Sequence, residues 1–498
     1  MNDTLREPSQ RRVSTWLAWA FLVLSPCLLL LVLSLATGHN VLSGMPVWSD
    51  ELDYWRAVYS WLNAGMRTGY NGVGEHVADW GSLSVHGPTP ILLYGGFAKV
   101  FGWPYCGVMV CNTLWVMAGA LTLCLLLKPG AKLAIALGVS IMAYAPVVLY
   151  AMTGMTELVN YGLLLFYLAF LLCYERGRGA PSLVLCTLTI LFMCAYRITY
   201  FVLFLPLLLV AFRRVSWKLI GALAAAGAAC VGVYWVTAQY TSPYSAGFLY
   251  NFMRTDSLAL AVQMFLSHAK ANLFDYFLRY TESKMEVAQR WSYCIVTGLC
   301  LLCSFVGVKK GEKRLRLRWD GMAFACFLML FVSFGVVVVA YETNDWSDYR
   351  TLAPVLWCVA ALLAARGHKL IPASFLALCL VMLVTLSTMG PVGSFADEKR
   401  FTPDAEDPEL TALCEAITFN PDAKDPFANT IRCDDLYNPQ SIRELAPGLG
   451  IQTGWFTEDN TGKSDWILTS HLKIVVQGYE QVAYTPRGYV YRKIEPLE

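Results

Sequence analysis

Charge is scarce in this chain. Asp, Glu, Lys and Arg make up 15% of its 498 residues, hydrophobic residues 56%, and the mean hydropathy is +0.48. Soluble globular domains carry about 25% charged residues, so an ordinary soluble protein is excluded and a polytopic membrane protein is indicated. No basic run interleaved with aromatics is present, which argues against a nucleic-acid partner. Internal repeats are absent too, and many transporters are built from them. The sequence also has no dense cluster of metal ligands, so clustered acids leave a divalent cation possible but unassigned.

Cysteine, in contrast, is plentiful. Fourteen of the sixteen lie at or before Cys379, mostly within apolar runs, where Cys behaves as a small hydrophobe. Cys300 and Cys303 have CxxC spacing inside one such run, a weak signal for metal or redox chemistry. Cys414 and Cys433 alone fall in the polar C-terminal part, where they either pair in an oxidising compartment or remain free.

The net charge of +2 hides a division. Residues 391–498 hold 10 Lys+Arg and 18 Asp+Glu, whereas residues 1–390 hold 28 and 18. A membrane body over 1–390 followed by an acidic soluble domain over 391–498 accounts for the split. A helix crosses the bilayer with about 20 apolar residues. Runs of roughly that kind lie near 16–37, 105–127, 133–151, 158–174, 182–196, 198–212, 217–236, 291–308, 320–341, 351–366 and 369–390. The first is longer than the roughly 7–15 apolar residues of a signal peptide and reads as a retained span.

Basic residues orient the set. Arg6, Arg11 and Arg12, Lys128 and Lys132, Arg176 and Arg178, Arg213 and Arg214, the Lys309–Arg318 run, and Arg366 with Lys369 all fall inside on one condition. Residues 182–212 must form a two-helix hairpin broken near Tyr196-Arg197, and 88–102 must not cross. The expectation is an all-α polytopic protein of about eleven spans, N-terminus inside, with a small extracytoplasmic α/β or α+β domain at its end. Two stretches of the first outer loop read as interfacial helices. In 51–66, Leu52, Trp55, Tyr59, Leu62 and Met66 recur at helical spacing, and the second is 88–102. In the tail, short β-like runs at Ile467-Leu468 and Ile474–Val476, a hairpin about Pro486-Arg487-Gly488, and a helix within Asp404–Ile417 are expected.

Acids at 50, 51, 53, 157, 345 and 348 then share the outer side. Ionisable groups at the membrane surface between apolar runs are costly to hold there and point to function. Asp50 and Glu51 follow the first span, Glu157 opens the helix after the third, Arg197 tips the hairpin, and Asp348 and Arg350 precede a late span.

In this order the motifs resemble the C-type glycosyltransferase superfamily (GT-C), in particular the branch of protein O-mannosyltransferases and aminoarabinose transferases. The matching segments are Ser49-Asp50-Glu51, His86-Gly87-Pro88 leading to Phe101-Gly102, Met155-Thr156-Glu157-Leu158, Arg197, and Tyr349-Arg350-Thr351-Leu352-Ala353-Pro354. The chain departs from the pattern at Gly87, where the family has Pro. It departs also at Asp53, where many relatives have Arg and Arg56 is the nearest base here, and at Glu157, where relatives often have Asp.

The resemblance implies an integral-membrane enzyme that moves a sugar from a polyprenyl-phosphate donor to a glycan, lipid or protein acceptor. The setting it suggests is a bacterial inner membrane with the active site facing the periplasm. Asp50 is then the general base toward the acceptor hydroxyl, and Glu51 either that base or a group that orients the site. Arg197 and Arg350 are the leading candidates for the leaving phosphate, Arg56 a weaker one, and His86, Glu157 and Asp348 complete the binding set. Sequence leaves open three alternatives: a transporter or flippase of lipid-linked glycans, a glycan polymerase or ligase, and a noncatalytic scaffold. Transport would show flux without a new glycosidic bond.

Overall fold

The structure, a computed structural model, describes residues 8–65, 71–73, 87–212, 216–238, 255, 257–308, 315–340, 350–388, 398–401, 406–423, 429–433, 436, 438–453, 464–471 and 478–494. Each apolar run read as a span is helical over most of its described residues, with a break at Tyr144 in one and a strand at Val306–Val308 ending another. The helices are α1 (Pro8–Thr37), α2 (Ser49–Ala64), α3 (Thr89–Phe101), α4 (Gly107–Leu127), α5 (Ala131–Ala143), α6 (Ala145–Ala151), α7 (Glu157–Glu175), α8 (Gly179–Tyr196), α9 (Phe204–Phe212) and α10 (Trp217–Ala238). Helices over Leu258–Phe277, Lys284–Phe305, Gly321–Ala340, Leu352–Ala365 and Leu370–Ser387 follow.

Among the described residues, six of these helices are long and apolar enough to cross a membrane, and α5 with α6 makes a seventh if that bent pair is one span. Hairpin arms 179–195 and 198–212 and helix 352–365 are apolar but shorter. Helix Lys284–Phe305 opens on Lys284, Glu286 and Arg290, which lowers its apolar content. The chain is an integral membrane protein.

Local chemistry explains the breaks. α5 and α6 meet at 60°, where Tyr144 is extended and Pro146 sits in the first turn of α6. Proline cannot donate back into the preceding turn. The 182–212 segment breaks at Arg197, which is extended (φ −142°, ψ 99°) between α8 and a 3-10 turn over Ile198–Leu203. Close approach of α4 and α7 depends on small residues. A Cβ on Gly119 would lie 2.4 Å from the Gly162 carbonyl oxygen. α7 therefore runs through the middle of the bundle, and helix Leu352–Ala365 is buried from Leu352 to Leu363.

The two ends of the bundle differ in chemistry. At one end, the Trp19 indole donates to the Pro129 carbonyl (2.8 Å), Arg176 to the Leu127 carbonyl (2.8 Å), Arg366 pairs with Glu175, and His368 lies 3.2 Å from Asp320. These contacts gather the connections near 128–130, 175–178, 320 and 366–368 on one side. We predict that single cysteines at Arg178 and Lys369 label from one face of intact membranes, and cysteines at Asn63 and His471 from the other. Labelling of 178 and 471 from the same face would overturn the eleven-span arrangement.

At the other end sits the tail domain. Apart from a two-stranded ribbon of β2 (Val306–Val308) and β3 (Leu315–Leu317), the strands form one six-stranded sheet of order β1-β5-β4-β6-β8-β7, with β1 (Asn71–Val73), β4 (Thr430–Cys433), β5 (Gly450–Thr453), β6 (Trp466–Thr469), β7 (Tyr479–Thr485) and β8 (Gly488–Lys493). Strands β1, β5, β4 and β6 are parallel, and β6, β8 and β7 antiparallel. A helix over Pro439–Glu444 connects β4 to β5, and another covers Pro408–Glu415, capped by Asp407. The sheet is thus mixed, with the expected hairpin between β7 and β8. Residues 474–476 lie outside the described set. Cys414 and Cys433 are free thiols buried in the same small core.

Two features of this end were not expected. Strand β1 (Asn71–Val73) belongs to the first outer loop, yet it pairs in parallel with β5 of the tail, Asn71 opposite Ile451. Helix α2, read as lying in the membrane interface, is clasped between two cores. Tyr54, Trp55 and Val58 pack into the bundle, while Leu52 joins Leu413, Ile442 and Leu449 in the tail. Gly448 (φ +87°) lets the tail reach the end of α2, because a Cβ there would stand 2.6 Å from that of Ala64.

Candidate active site

The charged groups of the end that bears the tail converge from five parts of the chain, at 50–51, 157, 197, 350 and 400. α2 begins at Ser49, so Asp50 and Glu51 occupy its first turn, where the positive end of the helix dipole favours acids. Glu51 is fully buried. One carboxylate oxygen accepts the N–H groups of Val47 and Trp48 (3.0 Å each); the other accepts the Gly154 N–H (2.7 Å) and the Arg400 guanidinium (2.5 Å). Glu51 thereby ties the start of α2 to the 153–155 turn and to the tail.

That turn is itself fixed from below. The Tyr94 hydroxyl of α3 donates to Asn112 of α4 (2.8 Å), and the Asn112 amide donates to the Met155 carbonyl (2.6 Å). Two residues on, Glu157 opens α7 with its side chain 1% exposed. Its Oε1 accepts from Arg197 Nη2 (2.9 Å) and Arg350 Nε (3.1 Å). Arg197 also donates to the Arg350 carbonyl (2.6 Å), which explains the break in the hairpin: the extended residue delivers its guanidinium sideways into the cluster. Arg350 turns its remaining edge to Asp50, with Nη2 on Oδ2, and touches the Met155 sulfur at 3.7 Å.

The result is a chain of charge: Asp50, Arg350, Glu157, Arg197. Its members are unequally enclosed. Asp50 and Arg350 remain about a third open, at 30% and 31%, while Glu157 is shut in behind them. Burial lowers the Arg350 pKa, but Glu157 and Asp50 raise it by more, so the guanidinium stays charged. Tyr54, one turn after Asp50, is a fourth-side neighbour that sequence did not single out. Burial, then the Asp50 and Glu157 carboxylates, push its phenol well above the ordinary range, so it stays a neutral donor.

Of the residues read from sequence, Asp50, Glu51, Glu157, Arg197 and Arg350 are brought together. Arg56 is directed elsewhere. It is buried and spends four donors on tail carbonyls, those of Ile442 (2.8 Å), Leu445 (3.0 Å), Ala446 (2.8 Å) and Leu449 (3.3 Å). A guanidinium closing the end of helix 439–444 is a dock for the tail, not a hand free for phosphate. His86 and Asp348 lie outside the described residues. Among the described residues no three His, Cys, Asp or Glu side chains come together as a cation site.

These elements define a polytopic membrane protein with a buried acid–arginine cluster at one end, roofed by a small mixed-sheet domain. Comparison with solved structures finds it similar to ArnT from Cupriavidus metallidurans bound to undecaprenyl phosphate, with a TM-score of 0.48 and 11% identity over 96% of this chain and 99% of that one. It is also similar to ArnT from Cupriavidus metallidurans in the apo state, with a TM-score of 0.36 and 13% identity over 93% of this chain and 97% of that one. No protein-family model matches the chain, and no curated protein matches it.

Proposed function

We propose that this protein is an integral-membrane glycosyltransferase that moves a sugar from a polyprenyl-phosphate donor to an extracytoplasmic glycan, lipid or protein acceptor. The observation that carries the reading is the partly open Asp50–Arg350 pair backed by the more enclosed Glu157–Arg197 pair. A lipid phosphate needs a planar, fixed donor set at the membrane surface, and arginine provides it. An acceptor hydroxyl needs a carboxylate beside that phosphate. Both kinds of group meet at one end of the bundle.

In the resting arrangement Asp50 occupies the Arg350 edge that faces outward. The incoming donor phosphate takes that edge, and Asp50 is released toward the acceptor. The acceptor oxygen then attacks the anomeric carbon, its proton passes to Asp50, and the carbon–oxygen bond to the lipid phosphate breaks. The phosphate leaves with its added charge held by Arg350 and Arg197. Attack opposite the leaving group inverts the anomeric centre. Glu51 has both oxygens committed to N–H donors and so orients Asp50 instead of taking the proton. This reading places the cluster and the tail on the exterior face, in bacteria the periplasmic face of the inner membrane. A flippase would instead hold its charges along a path near midplane.

Arg197→Ala and Arg350→Ala test the phosphate assignment. A charge-assisted hydrogen bond contributes about 1.5–3 kcal/mol, so each variant should raise the donor KM by roughly ten- to a hundredfold. Normal donor KM in both would place the phosphate elsewhere.

A further inference from the structure

We propose that Arg400 is a positioning residue through which the tail domain sets the acid motif of α2, so that transfer depends on a seated tail. Arg400 belongs to a short helix, Glu398–Phe401, just after the last span. It is 1% exposed, unusual for an arginine among connecting residues. Its Nη1 donates to Glu51 Oε1 (2.5 Å) and to the Met45 carbonyl (3.3 Å), and its guanidinium carbon lies 5.2 Å from the centre of the Trp48 ring. Its backbone carbonyl accepts the Met45 N–H (3.0 Å). Nε and Nη2 find no acceptor among the described residues. A buried guanidinium needs a counter-charge, and among the described residues its carboxylate partner is Glu51, next to the reacting acid.

The chain of contacts is short. Arg400 holds Glu51; Glu51 holds the N–H groups of Val47, Trp48 and Gly154; those fix the first turn of α2 against the turn that leads to Glu157. Asp50 sits on that turn. One helical turn and a half further on, Arg56 grips the tail again through carbonyls of residues 442–449. The helix bearing the base is thus held by the tail at two points. Removing the Arg400 charge leaves Glu51 a buried anion with only N–H donors, and the first turn loosens while the arginines of the phosphate site are untouched.

This role rests on the glycosyltransferase reading for its catalytic consequence but not for its structural one, and the test separates them. Amide exchange at Val47, Trp48 and Gly154 is measured in the full-length, membrane-reconstituted protein for wild type, Arg400→Met and Arg400→Lys, alongside steady-state transfer from a polyprenyl-phosphate sugar. Arg400→Met should speed exchange at those three amides at least tenfold, lower kcat about tenfold or more, and leave donor KM within twofold. Arg400→Lys, which keeps a cation in reach of Glu51, should restore most of both. The double variant Arg400→Met/Glu51→Gln should lose no more than the worse single one, since the two act as a unit. Unchanged exchange in Arg400→Met overturns the positioning role outright. Faster exchange with wild-type kcat overturns its link to transfer. Faster exchange in a protein whose wild type transfers no sugar upholds the clamp and overturns the enzyme assignment instead.

Discussion

Asp50→Asn should reduce sugar transfer by about a hundredfold or more while leaving the protein folded. The expected loss is that of a general base, about 10²–10⁴-fold. Asparagine has the same size and can still accept a hydrogen bond from Arg350, so the first turn of α2, held by Glu51, stays in place. It cannot take the acceptor's proton. The comparison with Glu51→Gln is informative because the two acids are committed so differently. Asp50 is 30% exposed and pairs with Arg350, whereas Glu51 is fully enclosed by four donors, the N–H groups of Val47, Trp48 and Gly154 and the Arg400 guanidinium. Glu51→Gln should therefore lower stability together with kcat, whereas Asp50→Asn should lower kcat alone. Thermal unfolding in detergent and transfer rate, measured on both, separate the two. A fully active Asp50→Asn with an inactive, normally stable Glu51→Gln would move the base one residue along. Full activity in both would favour transport.

Glu157→Ala carries the largest expected cost in stability. Its Oε1 holds Arg197 and Arg350 together from a position 1% exposed. Taking it away leaves the Arg197 and Arg350 guanidinium groups close together without the carboxylate that joins them. Breaking a buried pair on one side costs about 3–5 kcal/mol. Glu157→Gln, which retains one acceptor but no charge, should cost less. Both should also weaken donor use, because the arginines lose the fixed geometry that suits a phosphate. Denaturant titration in mixed micelles reads the first effect and donor KM the second. A Glu157→Ala protein as stable as wild type would mean that the arginines are held by something other than this carboxylate.

Much of this was legible in the sequence, for reasons that differ by residue. The spans are read from long apolar runs, which need only local information. Arg197 and Glu157 stand out because each is a charge set between such runs, and a charge there must have a partner. Which partner is another matter: Arg350 lies 153 positions from Arg197 and 300 from Asp50, and nothing local encodes either pairing. Arg400 gives no signal in the sequence: Asp397, Glu398 and Lys399 precede it, and such a run reads as a solvated connection. Arg56 was read as a phosphate candidate for its nearness to the acid motif, but helix geometry turns it to the face where the tail docks. Strand β1 gave no warning at all. Asn71-Gly72-Val73 is three residues long and shows no alternation; only an already formed edge at β5 makes it a strand.

That strand has a consequence for how the molecule is made. Asn71 and Ile451 are neighbours in the sheet, yet at about 5–20 residues per second a ribosome reaches the second roughly 20–80 s after the first. For that interval the loop between α1 and α3 lacks its strand partner, for most of it α2 lacks both of its tail anchors, and the loop's closing contacts are among the most distant in the chain. Biosynthesis therefore leaves the end that carries the acid–arginine cluster for last. A chain halted in the membrane part would hold its apolar helices, but the segment that bears Asp50 and Glu51 would still lack the tail that closes it.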